Sequence, residues 1–114
     1  MKRAIAYLST LLLVLSLTAC GDGADKQPAI DAYNACSAAF TTAADIINAN
    51  ADRVESSLIG AMVEVSKVLN EYKAALEHDT LDEAELRTMI DYFQTTERNM
   101  QMVAETLRTE LGIP

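Results

Sequence analysis

From Tyr33 onward, apolar side chains recur at alternating spacings of four and three residues. They run Tyr33, Ser37, Phe40, Ala44, Ile47, Ala51, Val54, Leu58, Ala61, Val65, Val68, Tyr72 and Ala75, and twelve of these thirteen are apolar or aromatic. Such spacing keeps one stripe on one face of an α-helix. Ile59, Met62, Leu69 and Leu76 widen it to the breadth of a helix packed on more than one neighbour. No proline falls between Pro28 and Pro114, and Gly60 is the only glycine inside the pattern. The chain therefore reads as all-α, with no strand signal.

Punctuation divides the pattern. Pro28 suits a first helical turn, where its missing N–H costs nothing, and Asp31 favours the positive end of the helix dipole. His78-Asp79-Thr80-Leu81 reads as a turn. Asp82 can then cap a helix with Glu85 as its capping-box partner and Leu81 stapled to Leu86; Thr80 with Glu83 is a competing cap. The second seam follows through Leu86, Met89, Phe93, Thr96, Met100, Val103 and Leu107, flanked by Ile90, Ala104 and Leu111. Gly112 suits the left-handed position after the last turn, with Ile113 folding back on Leu107 before Pro114.

Asn48-Ala49-Asn50-Ala51-Asp52 decides the architecture. The seam crosses it without a slip, which suits one helix to Glu77. Yet Asn and Asp compete with helix through their side chains, and Asp52 with Glu55 offers a cap. An unbroken helix would also be far longer than its partner and leave apolar surface uncovered. A break near Asn50 gives helices of roughly 21, 26 and 30 residues that cover one another. The expected fold is a small antiparallel three-helix bundle. The alternative is a long two-helix hairpin that self-associates to hide Phe40 and Ile47.

The N-terminus follows a different pattern. Lys2 and Arg3 precede an apolar run from Ala4 to Leu17, interrupted only by Tyr7, Ser9, Thr10 and Ser16. It falls short of the roughly 20 residues a spanning helix needs, and it has the layout of a secretory signal. It ends in Leu17-Thr18-Ala19-Cys20, followed by Gly21. These residues resemble the lipobox of bacterial lipoprotein precursors position by position. The resemblance implies cleavage between Ala19 and Cys20, a diacylglycerol thioether on Cys20 and often acylation, typically by palmitate, of the new amine. One acyl chain holds a protein weakly, whereas two or three hold it firmly. Asp22 lies one place beyond the position that usually signals inner-membrane retention, so in a double-membraned bacterium the resemblance favours the outer membrane, facing the periplasm. The domains are then residues 1–19 as signal peptide, 20–27 as lipidated cysteine and tether, and 28–114 as helical bundle.

Composition narrows the partners. The net charge is −8; with Lys2 and Arg3 removed, seven basic residues face seventeen acidic ones, a net charge of −10. Nucleic acid is a poor partner for such a surface, and so is an anionic headgroup. Membrane attachment is expected through the acyl chains on Cys20 alone. Cys36 would be left as a lone thiol, either packed among Ala32, Ala35, Ala39 and Phe40 or paired with a second chain in a disulfide. His78, the only histidine, reads as a helix C-terminal cation, since no second Glu-x-x-His element accompanies it. Met62, Met89 and Met100 fall on apolar stripes, where core filling outweighs a soft-metal set with Met102.

The chain has no glycine-rich phosphate loop, Ser-His-Asp set or zinc-ligand spacing. No enzyme and no cofactor is expected. Two functions fit. One is an anchored, non-catalytic interaction module for an envelope protein of unknown identity, in the manner of pilotins, exclusion and immunity-type lipoproteins, with which only the anchor is shared. The other is a carrier of a small apolar ligand or lipid in a cleft lined by Tyr33, Phe40, Tyr72 and Phe93.

Overall fold

A computed structural model describes residues 25–113. The expected signal segment, with Leu17, Thr18 and Ala19, the expected lipidation site Cys20 and most of the expected tether lie outside the described residues. The chain forms α1 (Gln27–Ala49), a 3-10 turn (Ala51–Arg53), α2 (Ser56–His78) and α3 (Glu83–Leu111), and no strand occurs among the described residues. The three-helix architecture is therefore the one adopted, with helices of 23, 23 and 29 residues.

α1 begins one residue before Pro28, which occupies the first turn. The Asp25 carboxylate accepts the Gln27 backbone N–H at 2.9 Å. Asp31 lies a turn further in, where it accepts the Gln27 side-chain amide at 2.9 Å rather than serving the dipole from the first turn. α1 ends because Asn50 turns against it. The Asn50 Nδ2 donates to the Ile46 carbonyl at 2.8 Å, and its backbone leaves the helical region at φ −130°. This is the side-chain competition expected of asparagine.

The restart differs from expectation. Val54 and Glu55 are both extended, and Glu55 is the N-cap of α2 with no side-chain cap bond, so Asp52 does not open the helix. The tighter 3-10 turn and the two extended residues break the phase of the seam. The residues buried in α2 are Met62, Ser66, Leu69 and Leu76. Those that continue the α1 seam, namely Leu58, Val65, Val68, Tyr72 and Ala75, are only half-buried, and Ala61 is exposed.

α3 starts as predicted by the Asp82–Glu85 pairing rather than by Thr80–Glu83. The Asp82 carboxylate accepts the Glu85 N–H at 2.8 Å, and the Glu85 carboxylate accepts the Asp82 N–H at 3.0 Å. Asp82→Ala should lower stability by about 1 kcal/mol, read as a fall in the urea midpoint at unchanged slope. Leu86, Met89, Phe93, Thr96, Met100, Ala104 and Leu107 are buried, with Ala104 taking the core place expected of Val103. Gly112 is left-handed at φ 70°, and the Ile113 N–H reaches the Arg108 carbonyl at 3.0 Å, the closing bond of a Schellman turn.

Helices α1 and α3 run parallel, and α2 runs back antiparallel to both. Tyr33 meets Phe93 at 5.5 Å between ring centroids, and the Arg53 guanidinium beyond the end of α1 donates to the last carbonyl of α3, on Leu111, at 3.1 Å. α1 packs closely on α3, while α2 and α3 are the least closely packed pair. Small buried residues of α1 (Ala29, Cys36, Ser37, Ala43 and Ala44) permit that approach. Two cations close helix ends: Arg53 at α3, and Lys26, whose ammonium donates to the carbonyls of Leu76 (3.0 Å) and Asp79 at the end of α2. Each faces the negative pole of a helix dipole.

Candidate interaction surface

Phe93 is at the centre of the core. Its ring meets Tyr33 at 5.5 Å, Tyr72 at 5.4 Å and Tyr92 at 6.1 Å, each near-perpendicular, and Tyr72 and Tyr92 meet at 5.3 Å. These are the separations at which the positive edge of one ring favours the face of the next. Tyr33, Phe40 and Phe93 are fully buried. Three of the four aromatics expected to line a ligand cleft are thus core residues, and Tyr33, Tyr72 and Phe93 fill the space between helices with their own rings.

The Tyr33 hydroxyl is buried without a hydrogen bond of acceptable geometry, although the Ser37 side chain one turn on lies near enough to offset part of its desolvation. Burial pushes the Tyr33 phenol up to about 12. Tyr92 is also raised, chiefly by burial.

Cys36 has no solvent-accessible surface. Burial, assisted by the Glu97 charge, pushes its thiol up to about 12. A thiol so placed is neither an activated nucleophile nor within reach of a second chain. A disulfide between chains would require α1 to leave the bundle first. His78 is exposed at the end of α2, with Nε2 3.8 Å from the Glu77 carboxylate. Among the described residues no group of three or more His, Cys, Asp or Glu is placed to hold a metal. Met62, Met89 and Met100 are core residues, whereas Met102 is 64% exposed, the only large apolar side chain so exposed among the described residues.

Met102 stands beside the one element pair that does not close. Along this side α2 presents Leu58, Ala61, Val65, Val68, Tyr72 and Ala75, and α3 presents Thr88, Tyr92, Thr95, Asn99, Met102 and Thr106 at matching helical spacing. None of these twelve is charged. The far end is an open groove of about 400 Å³ lined by Leu58, Asn99, Met102, Val103, Thr106, Leu107 and Glu110. The near end, about 420 Å³, includes Tyr72, Ala75, Leu81, Thr88 and Met89 with the acids Glu71, Asp79 and Glu85. Tyr72 and Tyr92 meet between the two. Sequence reasoning missed this surface because it assigned the α2 half to the core seam; the run of uncharged positions on α3 was the signal available.

The end of the bundle at which α1 begins is strongly acidic. Asp25, Asp79, Asp82, Glu83 and Glu85 are all exposed there, around the start of α1, the end of α2 and the start of α3. No helix among the described residues is long and apolar enough to cross a membrane. Comparison with protein-family models, curated proteins and solved structures finds no match to this chain.

Proposed function

We propose that the chain is a lipid-anchored lipoprotein of the bacterial cell envelope whose bundle is a non-catalytic protein-interaction module. The Leu17-Thr18-Ala19-Cys20 sequence supports the anchor, and Gly21 rather than Asp after the cysteine favours, in a double-membraned bacterium, an outer-membrane position facing the periplasm. What carries the module reading is a core filled by its own aromatic rings beside an uncharged, half-open face between α2 and α3. A carrier needs enclosed apolar space, whereas the space between Tyr33, Tyr72 and Phe93 is taken up by ring contacts. The acidic end follows six residues, Gly21 to Lys26, between Cys20 and α1, which extend to about 21 Å at most. Repulsion from anionic headgroups then holds the bundle off the bilayer, with its side faces clear for a partner.

Cys20→Ser tests the anchor in the producing cell. Radioactive palmitate incorporation should fall to background, and uncleaved precursor should accumulate. Labelling at the wild-type level would end the proposal.

A further inference from the structure

We propose that the groove between α2 and α3 seats one amphipathic helix of another protein, about 18 residues long and basic near both ends. The inference rests on the interaction-module reading and names the chemistry of its partner.

The length comes from the walls. Leu58 to Ala75 is 18 residues of one helix face, or about 27 Å at 1.5 Å per residue. The occupant's conformation comes from what the walls lack. Both are α-helices whose backbone groups are satisfied internally, so no sheet edge is offered to an extended peptide. Two antiparallel helices with apolar side chains at four- and three-residue spacing instead offer ridges to a third. The added helix would convert the three-helix bundle to a four-helix one. Val68 and Tyr72 on one wall and Met102 and Val103 on the other meet its apolar stripe, and Met102 supplies an adaptable contact.

The charge comes from the ends. The groove interior is uncharged, but Glu71 and Asp79 lie at one end and Glu110 at the other, and neither Glu71 nor Glu110 forms an ion pair among the described residues. Basic residues flanking the apolar stripe of the incoming helix would meet these carboxylates. A second copy of this chain is a poor occupant. Once residues 1–19 are removed it brings the same excess of seventeen acidic over seven basic residues, and two grooves laid face to face would set the carboxylates of their ends against like charge. Anionic lipid is disfavoured by the same carboxylates.

Site-specific photocrosslinking of the full, anchored chain in its own cells tests the assignment. A photoreactive residue is placed at Met102, Thr95 or Ala61 in the groove, or at Gln94 or Ala74 on outward faces; all five positions are exposed. The proposal expects adducts at least ten-fold more abundant from the groove positions. Mass spectrometry of the crosslinked peptide should place it in an amphipathic helical segment with Lys or Arg near both ends. Glu71→Lys and Glu110→Lys, both at exposed sites, should each reduce the Met102 adduct several-fold. Adducts with a second copy, with lipid or with a non-helical or acidic segment would overturn the inference, as would indifference to both charge reversals. Adducts confined to Gln94 or Ala74 would overturn the groove while sparing the module reading. Absence of protein adducts at all five positions would remove both.

Discussion

Phe93→Ala should cost the bundle about 3–5 kcal/mol, a large fraction of the stability of a domain of this size. Phe93 is fully buried and holds one ring from α1, one from α2 and one from its own helix. Removing it deletes the transfer free energy of the ring and leaves a cavity that α1 and α3, fixed in close parallel contact, cannot collapse into. The edge-to-face contacts to Tyr33 and Tyr72 are lost as well. The expected result is a urea midpoint far below that of the wild type, with helical circular dichroism retained at low denaturant. A variant within 1 kcal/mol of wild type would mean that the ring cluster is not the keystone of the core. The size of this effect relative to Asp82→Ala follows from location, since the cap is an exposed hydrogen-bonded pair and the ring is shared by all three helices.

The second large effect is alkaline destabilisation. Cys36 ordinarily titrates near 9 and Tyr33 near 10, and burial holds both at about 12 in the folded chain. Below pH 9 both groups are neutral, folded or unfolded, so this contribution to stability is fully present. Between pH 9 and about 12 the unfolded chain releases protons that the folded chain keeps, and stability falls as pH rises. At about 1.4 kcal/mol for each pH unit of that window, the two groups together remove several kcal/mol by its upper end. Urea midpoints measured from pH 8 to pH 12 should decline, and the double variant Cys36→Ala, Tyr33→Phe should decline less steeply. Equal slopes for variant and wild type would show that neither group is held neutral by the fold.

Both predictions depend on a core that was only partly legible along the chain. The seam through Tyr33, Phe40, Ala44 and Ile47 identified the buried face of α1, because within an unbroken helix the 3.6-residue period fixes which side chains share a face. The α3 seam, its capping box and its left-handed Gly112 were legible for the same local reasons. In α2 the same rule misplaced the core by one flank. Its phase is inherited through Val54 and Glu55, whose extended dihedrals no local pattern announces. Met62, Leu69 and Leu76 went inside instead, and the nominal seam came to rest on the edge facing α3.

By itself the sequence determined an acidic, all-helical chain with defined starts and stops, because capping, periodicity and charge are properties of neighbouring residues. It also carries the four residues ending in Cys20 on which the proposed anchor rests. Tertiary structure alone decided that the aromatics close on one another, that Cys36 is sealed, and that α2 stands off α3. Those outcomes depend on how far apart whole helices sit. That distance is set by small side chains on α1 meeting α3, remote in the chain from the groove they leave open.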